Sequence, residues 1–223
     1  GRLIGAVGSC LIDVTGKDEM ALFFRLCKSL GIESRYIADL DVLFRGNLRQ
    51  MASQDERCKM YMQQQGLGMD GMAVIGQLDK PLADCIQAVE ATPALEPFIS
   101  QMKEALKAAD KETDAGTVAA KKRYIMLVGV LNYLDEVTAV IPDKQETLTL
   151  IRGRAKQIME GFAKAQVHLL KRGALENYLS SYEGNPFSIS SSVKADVFDR
   201  ERTALLEEIL NETDLCSRYG DLI

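Results

Sequence analysis

Asp39 and Asp41 are the residues whose type and spacing best suit chemistry. They lie in the run Ser34-Arg35-Tyr36-Ile37-Ala38-Asp39-Leu40-Asp41-Val42-Leu43-Phe44. This run reads as a short apolar strand ending in two carboxylates, and side chains on a strand alternate faces. Both acids are therefore expected on one side. Ligands of open α/β sheets gather beyond the carboxyl ends of strands. Two carboxylates this close repel unless a cation lies between them, and a hard divalent ion, Mg²⁺ or Mn²⁺, suits oxygen donors. The same pair equally suits a turn and cap after a strand.

The elements around them follow from periodicity. Residues 7–14 carry an apolar strand, and Thr15-Gly16-Lys17-Asp18 a turn and cap. A helix over 18–30 shows Met20, Phe23, Phe24, Cys27 and Leu30 at helical spacing, and Gly31 closes it. With the strand at 34–44 this makes a β-α-β unit with parallel strands. Residues 45–165 then read as helices packed on one another, over 48–64, 81–91, 93 or 94–110, 117–140 and 144–164. A short strand at 72–75 is the one exception. A strand returns at 166–170, Gly184-Asn185-Pro186 breaks the chain, and a last helix runs over 194–211. The expected organisation is thus an α/β part at 1–44, a helical insertion at 45–165, and a return to the sheet with a C-terminal helix at 166–223. Such an insertion sets its helices beside the carboxyl edge that holds Asp39 and Asp41.

Bulk properties narrow the classes. The chain has 223 residues, 47% hydrophobic and 26% charged, ordinary for a globular domain. A net charge of −5 makes the whole chain no clamp for nucleic acid, though a local basic groove is compatible with it. The five cysteines form no C-x-x-C pair, which argues against a zinc site or a disulfide framework and fits a reducing cytoplasm. No apolar run is long enough for a membrane span. The chain begins at Gly1 and enters an apolar stretch almost at once, as a piece of a longer protein would.

Three segments in order carry a resemblance: the strand with Thr15-Gly16-Lys17 and its helix, Asp39-Leu40-Asp41, and Leu169-Leu170-Lys171-Arg172-Gly173-Ala174-Leu175-Glu176-Asn177-Tyr178-Leu179. Together they resemble the topoisomerase-primase (Toprim) domain of OLD-family endonucleases, the group that includes Gabija-type phage-defence nucleases. The resemblance implies a mainly parallel Toprim-like sheet with a large all-helical insertion and a C-terminal helix. It implies a Mg²⁺- or Mn²⁺-dependent DNA endonuclease with two metal ions. Asp39, Asp41 and Glu176 then match the metal carboxylates, and Lys194 the late catalytic lysine. Lys17, Lys171 and Arg172 become candidates for phosphate or DNA contact, with duplex DNA as the favoured substrate. An ATPase domain upstream, a homodimer and a cytoplasmic setting would go with it. The family's Glu-Gly after the first strand and its following Glu have no counterpart in residues 1–6, and the chain has no Walker P-loop.

Each residue also has a plainer role. Lys17 suits a solvated turn, Glu176 the first turn of a short helix, and Lys194 an exposed surface. His168, the one histidine, lies between Val167 and Leu169 and reads as structural. The runs Lys121-Lys122-Arg123 and Arg152, Arg154, Lys156 suit either a phosphate backbone or solvated helix faces. Two rival functions fit the acids: a haloacid-dehalogenase-like phosphatase using Asp39 and Asp41, and a catalytically incomplete dimerisation or interaction module.

Overall fold

Tyr36–Ala38 (β1) and Val167–Leu169 (β2) pair in parallel, with Tyr36 opposite Val167, Ile37 opposite His168 and Ala38 opposite Leu169. Among the described residues, those between them in sequence are helical or connecting chain. The computed structural model describes residues 17–93, 97–179, 184–187 and 195–212. Among them the sheet has two strands, and the protein is mostly helical. The strand expected at 7–14 and Lys194 lie outside the described residues.

The strand carrying the acids is shorter than its apolar run suggests. β1 stops at Ala38, and Leu40–Leu43 forms a 3₁₀ turn. Leu40, Val42, Leu43 and Phe44 are all buried. A strand would have sent alternate members of this run to opposite faces, whereas a turn with three residues per revolution lets them all enter the core.

Helix α1 spans Lys17–Leu30. Ala21 and Phe24 enter the core, with Phe24 tilted against Tyr36, and Met20 is partly buried. Phe23 and Leu30 do not join them. Leu22, Leu26, Leu30 and Ile32 are more than half exposed, forming an apolar stripe on the side away from the core.

The expected helix at 48–64 is two helices, α2 (Leu48–Gln54) and α3 (Glu56–Gln64). They break at Asp55, whose extended backbone caps α3 by accepting the Arg57 N–H at 3.0 Å. Asp55 is buried and also holds Lys28 of α1 at 3.0 Å and the Arg57 guanidinium at 3.1 Å. Burial pushes its carboxyl up, but the bonds from Arg57 and Lys28 outweigh this and leave its pKa below the ordinary value.

The strand expected at 72–75 is instead helix α4 (Gly71–Gly76), where Asp70 caps Met72 and Ala73. Helix α5 spans Asp79–Ala91, with Pro81 inside its first turn rather than at its start. The missing N–H of proline costs nothing there. Helix α6 spans Pro97–Ala109. The long helix expected at 117–140 is α7 (Ala115–Asn132) and α8 (Leu134–Val140), separated at Tyr133. Tyr133 leaves helical geometry to stack with Phe98 and Phe187, at centroid distances of 4.9 and 5.9 Å. Helix α9 (Gln145–Lys164) then packs on α3, α5, α7 and β2. Its Gly161 permits the close approach: a Cβ there would lie 2.5 Å from Met62 Cε. Cys58 is fully buried beside this contact, as a small hydrophobe. Helix α10 spans Ala195–Glu212.

One apolar core joins β1, β2 and the helices from α1 to α9. A second, smaller cluster of Leu170, Tyr178, Leu179, Leu205 and Ile209 attaches α10 to the chain after β2. Among the described residues, no helix is long and apolar enough to cross a membrane.

Candidate functional site

Parallel pairing puts the carboxyl ends of β1 and β2 side by side. The segments that leave the two strands therefore meet at one edge. Leu170 N–H donates to Ala38 O at 3.0 Å, and Leu40 N–H donates to Gly173 O at 2.7 Å. The backbone of Leu175 donates to Asp39 Oδ1 at 3.1 Å. Residues 136 positions apart in sequence are thus bonded directly. Glu176 follows Leu175 within the 3₁₀ turn Leu175–Tyr178. The edge brings Asp39 to the Gly173-Ala174-Leu175-Glu176 segment.

The loop between β2 and that turn is fixed from several sides. Gly173 has φ +105° and lies against α7, so a Cβ there would be 2.7 Å from Tyr124 Oη and 2.8 Å from Val128 Cγ2. Asn132, at the end of α7, donates to Lys171 O at 3.0 Å. Asn177 donates to Arg172 O at 2.7 Å and to Pro186 O at 3.0 Å. The second bond ties the loop to the Gly184-Asn185-Pro186-Phe187 segment, whose Phe187 is fully buried. The chain break expected at this segment thus also anchors an aromatic cluster. Asparagines flanking a glycine turn are the sequence signal that could have marked this loop.

Asp39 and Asp41 differ in backbone conformation and in exposure. Asp39 is the last extended residue before the 3₁₀ turn, and Asp41 lies within it. Strand alternation therefore does not set the direction of Asp41 relative to Asp39. Asp41 is 2% exposed, while Asp39 is partly exposed. The alternation expected of a strand fails because the strand ends before the first acid.

A fit to divalent metal can be tested on the donors present. Their oxygen chemistry suits Mg²⁺ or Mn²⁺. However, Oδ1 of Asp39 accepts a backbone bond, Asp41 is enclosed, and no group of three or more His, Cys, Asp or Glu side chains among the described residues could hold a metal ion. These residues do not make a complete metal centre by themselves.

The basic candidates divide sharply. Lys121 pairs with Glu112, Lys122 with Glu90 and Asp110 at 2.7 and 2.8 Å, and Arg123 with Asp79 at 3.3 Å. These pairs bind α5 and the chain after α6 to α7, so the run is a structural ion-pair network. Arg154 bonds Gln77. Arg172, by contrast, lies at the sheet edge. Its guanidinium lies over the Tyr178 ring at 4.8 Å and pairs with Glu208 of α10. Its backbone N–H donates to Tyr178 Oη at 3.1 Å. Glu208 carries no local sequence signal and is recognisable only in the folded chain. Lys171 is exposed beside Arg172. Lys17 begins α1.

His168 lies on the face of the sheet opposite Tyr36 and Ala38, level with Ile37. Its Nε2 is buried without a hydrogen-bond partner. Burial first, and then the Arg35 charge, lowers its pKa to about 4. It is a neutral structural imidazole near neutral pH.

No family model, curated protein or solved structure matches the chain.

Proposed function

We propose that the carboxyl edge of the β1–β2 sheet is the part of a Toprim-type, metal-dependent DNA endonuclease site that this chain supplies. Asp39, Asp41 and Glu176 are its carboxylates, and duplex DNA is the substrate. The observation that carries this reading is the parallel pairing of β1 with β2 and the bond from Leu175 N–H to Asp39 Oδ1. These join an Asp-x-Asp and a Gly-x-x-Glu that are remote in sequence. A hydrolytic centre of this kind must offset the charge of the scissile phosphate, which is the role divalent ions play there. The described carboxylates contribute negative field for such an ion, and further donors must complete the shell.

Replacing Asp39 by Asn tests this cleanly. Asn keeps an Oδ1 acceptor for Leu175 and removes only the charge. The wild type should cleave plasmid in Mg²⁺ or Mn²⁺, and Asp39→Asn should abolish cleavage while leaving thermal stability nearly unchanged. Equal cleavage by both proteins would end the reading. So would a wild type that neither cuts nor binds either ion in calorimetry.

A second reading, self-association, is favoured by the α1 stripe. Its inner face is already committed to the core, so Leu22, Leu26 and Leu30 form a second apolar stripe that a partner could cover. Leu22, Leu26 and Leu30 are evenly spaced, so a two-fold axis through Leu26 would seat Leu22 on Leu30 of a second copy.

A further inference from the structure

We propose that Arg172 is a phosphate-binding residue held closed by Glu208, so that α10 is a latch over the loop after β2. This rests on the nucleic-acid reading of the sheet edge and adds a regulatory contact to it. Three features separate Arg172 from the other cations. First, Tyr178 fixes it at both ends, through the stacked ring and through the Oη that accepts its N–H. A guanidinium held over an aromatic ring is restrained in position while its N–H donors remain able to bind a phosphate. Second, it sits at the edge where Asp39 and the Glu176 turn meet. Third, its carboxylate partner lies on α10, which the second core cluster joins to the chain after β2. Of the described α10 side chains, Leu205 and Ile209 are the ones that enter the second core cluster. The partners of Lys121, Lys122 and Arg123 instead lie on or beside α5 and α6, inside the main bundle.

The strength of the pair fits a latch. Arg172 and Glu208 are 46% and 41% exposed. An exposed ion pair contributes at most about 1 kcal/mol, or about fivefold in an equilibrium constant. Glu208 therefore competes with an incoming phosphate without excluding it. A nucleic-acid backbone with many phosphates displaces the carboxylate, and α10 swings from its seat or loses that contact.

The test is binding of a fluorescein-labelled DNA duplex to the full chain, by anisotropy in EDTA at low salt, where no metal-dependent cleavage occurs. Glu208→Gln should tighten binding by up to about fivefold. Glu207→Gln makes the same change in net charge on the same helix and should give no gain. Arg172→Ala should weaken binding, and Glu208→Gln should have no effect in the Arg172→Ala background. The latch is overturned by an unchanged affinity in Glu208→Gln, by an equal gain in Glu207→Gln, by a gain that survives without Arg172, or by no duplex binding in any variant. The endonuclease reading stands or falls separately, on Asp39-dependent plasmid cleavage.

Discussion

Replacing Gly173 by Ala would strike the carboxyl edge at its tightest point. The new Cβ would lie 2.7 Å from Tyr124 Oη and 2.8 Å from Val128 Cγ2, both on α7. The φ of +105° is itself one that L side chains rarely adopt, costing about 1–3 kcal/mol. Overpacking against two buried side chains adds about 1–3 kcal/mol. The loop can escape only by sliding away from α7, which stretches the Leu40 N–H to Gly173 O bond now at 2.7 Å. A total of about 2–6 kcal/mol follows, and at about 2–4 °C per kcal/mol the melting temperature should fall by at least 4 °C. Thermal and urea unfolding measure this directly. Tyr124→Phe removes the nearest atom, so the double variant should lose less than the sum of the two single losses. A Gly173→Ala protein within about 0.5 kcal/mol of wild type would refute the close approach, and with it the fixed position of the Glu176 turn.

His168 supplies an acid-side prediction. Its pKa is about 4 in the fold against 6.5 when unperturbed, so the unfolded chain takes up the proton first as pH falls. Stability should drop between about pH 6.5 and 4, by up to about 3 kcal/mol, and His168→Phe should flatten that limb of the melting-temperature profile; parallel profiles would contradict a buried neutral imidazole. The α1 stripe predicts that Leu26→Glu converts a dimer to a monomer in sedimentation velocity. A monomeric wild type, or an unchanged dimer in the variant, would remove the second functional reading.

The helices were legible because each carries an apolar stripe. Their breaks were not, because each break is set by something distant in sequence. Asp55 interrupts 48–64 where Lys28 and Arg57 converge on its carboxylate, and nothing within that window announces Lys28. Tyr133 splits 117–140 where Phe98 and Phe187 receive its ring. The Asp39 strand was overextended for a related reason. Its run of apolar residues satisfies a strand and a buried 3₁₀ turn equally, and the partner that decides is Gly173. The juxtaposition of Asp39 with the Glu176 turn could be expected from the order of motifs alone. That Asp41 turns inward could not, since a one-residue difference in where the strand ends reverses a face.

The helical stretch between the strands bears directly on the site. Each strand is three residues long, and a net contribution of about 1 kcal/mol per hydrogen bond would not hold so small a ladder in water. What fixes its register is lateral. Helix α9 runs into β2 through Gln166, which adopts φ 66°. Helix α7 supplies Tyr124 and Val128 beneath Gly173, and Asn132 at Lys171. The main core passes from Phe24 and Tyr36 to Val167 and Leu169 through side chains of the same helices. Helices α7 and α9 therefore lie against the edge and hold it in place. A chain in which residues 45–165 were replaced by a short linker would keep the motifs in order yet lose the contacts that bring Asp39 to Leu175.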